Sequence, residues 1–275
     1  MTYKHISKYR MIKAILALIL TSCTVNAATF FIDELSNGYA DGNLVGQNGW
    51  AQTSTASNNP IQYSGNKVIV GPTGQDVWKP FSTQVVKANV STLYTRIDFS
   101  IITTQNTGDY FFSLSDPAGT ASNFYQRLFV RSSGSGFNLG LMSTSGTGSL
   151  TVWGSSVFNL NNPYTVLIAW DMVTGGVNDT FSLYVNPIFD NRSLLTAELQ
   201  SNWNSTTGTE PATFISALNL RQGSASAAPT VYVEEIRIGD TLADVSIIPE
   251  PSTNSLISLG LLAIMCLYII KKRSE

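Results

Sequence analysis

Histidine and cysteine are almost missing from this chain. The single histidine is His5, and the two cysteines are Cys23 and Cys266. All three lie close to an end, so the body from Ala28 to Ile248 carries neither residue type. That excludes a histidine-dependent triad, a thiolate nucleophile, a disulfide and a zinc site of the usual His/Cys kind from the body. Long amphipathic helical patterns are missing too. Positive charge is scarce: the body has nine Lys and Arg against sixteen Asp and Glu, a net of about −7 by simple side-chain charge. The whole-chain value of −2 hides this, because cations gather at the two ends. An acidic body argues against nucleic acid as a partner, since phosphates require a basic footprint. At roughly 220 residues the body can bury one sizeable core without staples.

Both ends read as membrane signals. Lys4, Lys8, Arg10 and Lys13 precede an apolar run, Ala14 to Leu20, and Val25-Asn26-Ala27 suits cleavage after Ala27. This is the pattern of a secretory signal peptide over residues 1–27, with either Met1 or Met11 as the start. A rival reading takes Leu20-Thr21-Ser22-Cys23 as a lipobox with Cys23 lipidated. At the other end, Leu256 to Ile270 has no charge and no proline. As a helix these residues would rise roughly 22 Å, and about 28 Å counted from Ser252, against a hydrocarbon core of about 30 Å. Lys271, Lys272 and Arg273 follow as a basic stop, which predicts a cytoplasmic C-terminus.

Ahead of that run stands Pro249-Glu250-Pro251. The tripeptide, the apolar segment and the basic tail, together residues 247–275, resemble the PEP-CTERM sorting signal of Gram-negative bacteria. The resemblance implies that an exosortase processes the chain. The protein would first be held in the inner membrane through its C-terminal helix, then reach the cell surface or the extracellular matrix.

The body, residues 28–246, is rich in Gly, Ser, Thr and Asn with short apolar alternations. Leu93, Ile97, Phe99 and Ile101 fall on one face of a strand, with Tyr94, Arg96, Asp98 and Ser100 on the other. Further strands are predicted at 68–70, 110–114, 125–131, 137–142, 166–170, 180–185, 214–220 and 231–238. The run at 166–170 is so apolar that burial on both faces is expected. A short helix is expected over 193–200. Glycine, proline and asparagine turns separate these segments, and many short strands so spaced indicate a jelly-roll β-sandwich.

Asp41-Gly42-Asn43-Leu44-Val45-Gly46-Gln47-Asn48-Gly49-Trp50 resembles the opening of concanavalin A-like (LamG-like) jelly-roll domains. Gly108–Phe112, Arg127–Val130 and Asn178–Pro187 resemble later strands of that family. Tyr232–Gly239 resembles the closing strand, with Glu234 where the family often has Asp. The resemblance implies fold and association with carbohydrate; it names no ligand.

Candidate site residues follow from chemistry. Trp50, Trp78, Trp153 and Trp203 lie in polar, loop-like contexts and are candidates to stack on sugar rings, whereas Trp170 is expected in the core. Asp41, Asn43 and Asn48 offer oxygens of the kind calcium takes, although Asp41-Gly42 and Asn48-Gly49 read first as turns. Glu234 and Glu235 are the obvious carboxylates for glycoside chemistry, but strand neighbours point to opposite faces, and Glu235 suits an ion pair with Arg237. The expectation is an exported, non-enzymatic envelope protein that associates with extracellular polysaccharide. The alternatives are a glycan-cleaving enzyme on the same fold and a structural matrix protein without a specific ligand.

Overall fold

The computed structural model describes residues 28–246, apart from 37, 54–57, 117–122, 144–149, 174–177, 190, 193–194 and 203–212. The chain is all-β. Its strands are β1 (Thr29–Asp33), β2 (Gly42–Asn43), β3 (Ala51–Gln52), β4 (Gln62–Tyr63), β5 (Val68–Val70), β6 (Val77–Val86), β7 (Thr92–Thr103) and β8 (Asp109–Asp116). There follow β9 (Asn123–Ser133), β10 (Gly136–Met142), β11 (Val152–Trp153), β12 (Pro163–Asp171), β13 (Thr180–Val185), β14 (Leu199–Asn202), β15 (Phe214–Leu220) and β16 (Thr230–Gly239). One 3-10 turn (Lys87–Asn89) and one short helix, α1 (Leu242–Val245), complete the described elements. Among the described residues no helix is long and apolar enough to cross a membrane. Ala27, Cys23 and the whole of 247–275, including Pro249, Glu250, Pro251, Leu256, Ile270, Lys271, Lys272 and Arg273, lie outside the described residues.

The strands form two antiparallel sheets. The nine-stranded sheet runs β14-β13-β12-β7-β16-β5-β4-β2, with β1 also on β16. The seven-stranded sheet runs β11-β10-β9-β8-β15-β6-β3. Non-sequential neighbours, such as β7 beside β16 and β15 between β6 and β8, show the chain crossing repeatedly between layers, as in a jelly-roll sandwich. One core joins both inner faces. Phe99 meets Phe111 across the layers at 5.5 Å, and Tyr125 meets Trp170 at 5.9 Å. Trp170 is fully buried, and its Nε1 donates to Asp179 at 2.9 Å.

Alternation in β7 places Leu93, Ile97, Phe99 and Ile101 in the core. Its other face is also covered. Tyr94, Leu167, Ala169, Tyr184 and Val245 form a second apolar cluster, with Phe189, Leu195 and Leu242 packed on it. This is why 166–170 is buried on both faces. α1 is fixed there by a capping box: the Thr241 hydroxyl accepts from the Asp244 N–H, and the Asp244 carboxylate accepts from the Thr241 N–H.

Two expectations change. The segment expected as a helix over 193–200 is irregular at 195–198 and enters β14 at Leu199. Leu199 and Ser201 are buried while Gln200 and Asn202 are exposed, a period of two that pairing with β13 enforces. β6 was hidden by Pro80. That proline sits where the pairing slips, with Ile215 opposite Val85 but Ala217 opposite Pro80, the kind of irregularity that tolerates a missing N–H.

Candidate functional site

The outer face of the seven-stranded sheet carries a row of aromatic and guanidinium side chains. Alternation sends Leu128 and Val130 inward and Arg127, Phe129 and Arg131 outward. A bulge sets this phase. Tyr125 pairs with Leu114 and Leu128 with Phe112, one residue more on β9 than on β8. Gln126 takes φ +50 there and turns into the interior, where its Oε1 accepts from the Thr95 hydroxyl at 2.7 Å. A non-glycine residue in that region costs about 1–3 kcal/mol, and such strain gathers where a side chain must be re-aimed. The residue re-aimed is Arg127.

Trp153 on β11 lies flat over β10. A Cβ on Gly140 would stand 2.7 Å from the indole, and one on Gly108, at φ +75, would stand 2.9 Å from it. Only glycine lets the ring approach so closely. The Arg131 guanidinium lies 4.2 Å from the Trp153 ring centre. Phe129 bridges the row, 6.1 Å from Trp153 and 5.3 Å from Tyr110. Tyr110 carries two guanidiniums, Arg221 at 4.4 Å and Arg127 at 4.9 Å. Cation–π contacts of this kind hold arginines in place at about 0.5–2 kcal/mol each. Arg221 also pairs with Asp109 at 2.7 Å.

Below Tyr110 the face opens into a recess of about 130 Å³, lined by Thr53, Asp76, Tyr110, Ser113, Phe124, Asn219 and Arg221. Burial pushes the Asp76 carboxyl above its ordinary value, against the Gln222 N–H and the Arg221 charge. Burial likewise raises the Tyr110 phenol and lowers the Arg127 guanidinium. Asn219 and Ser113 are buried, and among the described residues Asn219 Nδ2 and Ser113 Oγ have no hydrogen-bond partner.

The four candidate tryptophans separate. Trp153 and Trp78 lie on this outer face, on the edge strand β11 and on β6, one strand in from the opposite edge. Trp78 Nε1 donates to the Gln52 carbonyl at 3.2 Å. Trp203 lies outside the described residues. Trp50 is a correction: it is 2% exposed. Its Nε1 donates to Asp33 Oδ2 at 3.2 Å and meets the Tyr39 hydroxyl at 3.0 Å. Its polar sequence context misled because the loop folds its one apolar ring inward against Asp33 and Lys79. Asp41, Asn43 and Asn48 act in turns: Asp41 accepts from the Gly65 N–H, Asn43 from the Val45 N–H, and Asn48 donates to the Gly38 carbonyl.

Glu234 and Glu235 do not point to opposite sides as strict alternation requires. β16 bulges between Val233 and Glu235 in its pairing with β7, and both glutamates line one recess of about 510 Å³ on the nine-stranded side, beside Glu34, Asp98 and Arg237. Glu235 pairs with Arg237 as expected, and its second oxygen stands 3.6 Å from Arg96. Its charge is thus engaged by two guanidiniums. The arginine row, Tyr110, Asn219 and the recess were not foreseen. Their signal was the alternation Arg127-Leu128-Phe129-Val130-Arg131, legible in the sequence but read there only as fold.

No family model matches the chain, and no curated protein matches it. Solved structures match at low likeness. The CBM2 module of Lactobacillus casei BL23 phage J-1 evolved Dit is 11% identical, with 81% of this chain and 98% of that one covered and a TM-score of 0.45. The endo-β-1,4-glucuronan lyase of Trichoderma reesei is 10% identical over 79% and 98%, TM-score 0.46. The Ca2+/Man3GlcNAc-bound VIP36 exoplasmic/lumenal domain is 10% identical over 74% and 90%, TM-score 0.44. At such values the likeness says nothing about a site.

Proposed function

We propose that this is an exported cell-envelope protein whose sandwich binds polysaccharide, without cleaving it, through the outer face of the seven-stranded sheet. The observation that carries the binding reading is the row Trp153, Phe129, Tyr110 and Trp78, with a recess and polar donors beside it. Strands in a sheet are about 4.8 Å apart, so from β11 to β6 the row spans roughly 24 Å, suited to an extended chain. The rings with the guanidiniums laid on them supply contact area and the recess supplies orientation, the usual division of labour in a ligand site.

The address rests on the sequence alone. The basic n-region before Ala27, and Pro249-Glu250-Pro251 ahead of an apolar run and a basic stop, support export, inner-membrane anchoring and exosortase processing to the surface or matrix. Of the two glutamates most suited to hydrolysis, Glu235 is engaged by Arg237 and Arg96, which favours binding over catalysis.

Two measurements test these parts separately. The full chain is applied to a panel of soluble polysaccharides beside Trp78→Ala and Tyr110→Ala. The expected result is retention that both substitutions weaken and no shortening of the glycan; chain shortening, or no retention on any polysaccharide, refutes the reading. For the address, intact mass and fractionation are compared with a variant carrying Pro249, Glu250 and Pro251 all as Ala. Processing lost in that variant supports sorting, while identical mass and location in both rejects it.

A further inference from the structure

We infer that the ligand of this face is an anionic glycan, one whose sugars carry carboxylates, seated with a carboxylate toward the recess beneath Tyr110. The inference rests on the binding reading above and adds the charge of the ligand. The two arginine sets of the sandwich differ. On the nine-stranded side each arginine holds carboxylates: Arg96 holds Asp98 and Glu235, Arg237 holds Glu235 and Glu34, and Arg192 holds Asp171. On the seven-stranded side Arg221 pairs with Asp109. Arg131 lies on an indole, and among the described residues it has no ion pair. The six arginines of the body thus divide evenly, with Arg127, Arg131 and Arg221 on this face and the other three on the nine-stranded side.

A neutral sugar seeks a bare ring. Here Trp153 and Tyr110 carry guanidiniums, so the rings serve as rests for arginine rather than as open platforms. Guanidinium planes held in this way match the two oxygens of a carboxylate.

The recess gives an independent sign. Asn219 is 4% exposed and Ser113 is 0% exposed. Asn219 Nδ2, a donor, and Ser113 Oγ, which can donate, face it with no partner among the described residues. A buried unpaired polar atom costs about 1–3 kcal/mol, so these groups await acceptors, and a carboxylate is acceptor only. The recess is also far smaller than the roughly 300–1,000 Å³ of a site that encloses a whole ligand. It takes a substituent while the chain lies along the row. Asp76 lines the same recess and opposes an anion; one of its oxygens is engaged by the Gln222 N–H at 2.8 Å.

That opposition gives the test its sign. Binding of the full-length protein to polygalacturonate is compared with binding to the same polymer after reduction of its carboxyls, by affinity electrophoresis at two salt concentrations. Reduction is expected to weaken binding about tenfold or more, as loss of a charge-assisted contact does, and added salt to weaken the acidic polymer selectively. Arg131→Gln and Asn219→Asp weaken it about tenfold, whereas Asp76→Asn tightens it; thermal melts verify that each variant is folded. Equal binding to both polymers, or weaker binding by Asp76→Asn, overturns the anionic assignment and leaves a face for neutral sugars. No binding to either polymer, or to any member of the polysaccharide panel, overturns the binding reading as well.

Discussion

Asp33 provides the sharpest test of the packing argument. Its carboxylate is 7% exposed, and Oδ2 accepts from Lys79 Nζ at 2.7 Å, the Tyr39 hydroxyl at 2.6 Å and Trp50 Nε1 at 3.2 Å. The charge is felt locally: burial first, then the hydrogen bond and charge of Asp33, push the Tyr39 phenol well above its ordinary value. Lys79 is itself only 16% exposed at its side chain and lies over Trp50, 5.8 Å from the ring. Asp33→Leu would leave that ammonium facing rings and a hydroxyl. Breaking a mostly buried pair from one side costs about 3–5 kcal/mol. At about 2–4 °C per kcal/mol for a domain of this size, melting should fall by roughly 6–20 °C. The cost belongs to the stranded cation, so Lys79→Met in the same chain should recover most of it, because apolar replacement of both partners is often neutral. Thermal and urea melts of the two single variants and the double variant form the cycle. A loss under about 1 kcal/mol for Asp33→Leu, or a double variant no more stable than that single one, would refute the argument.

Other outcomes follow from the same geometry. Burial raises the Asp76 carboxyl above 3.8, so the folded state holds its proton more tightly than the unfolded chain. Stability from this group is full below that value and is lost as pH rises through the folded pKa; Asp76→Asn should therefore match wild type in acid and exceed it at pH 7 in urea melts. Asp171 has the opposite sign. Burial works to raise it, but hydrogen bonds from Arg192, Thr92 and Thr180 outweigh that and hold it below 3.8. Its contribution is present above 3.8 and disappears as pH falls through the folded pKa, so Asp171→Asn should flatten the acid limb of the stability profile; an unchanged limb contradicts the pairing. Gly140→Val should displace Trp153, since even a Cβ stands 2.7 Å from the ring. A shift in tryptophan emission with a loss of about 1–3 kcal/mol is expected, and unchanged emission would show that the ring does not rest there.

The sequence by itself determined the class of the body. Absent histidine and cysteine removed whole chemistries, and period-two alternation in β7, β9 and β13 declared strands because a pleated strand with one buried face permits little else. Local pattern also placed Trp170 in the core and paired Glu235 with Arg237, neighbours on one strand face. What it could not encode was anything set by pairing at a distance. Pro80 hid β6 because only its register with β15 makes a proline tolerable there. The bulge at Glu234 put both glutamates on one side against the expected alternation, since one added residue changes the phase of every side chain after it. Trp50 went inward because Asp33, seventeen residues earlier, waits for its N–H. The row on the seven-stranded sheet joins β11, β9, β8, β15 and β6, strands whose adjacency exists only once the chain has crossed between layers. Arg131 meets Trp153 and Arg221 meets Tyr110 for that reason: side-chain chemistry is local, but which chemistries share a face is decided by topology.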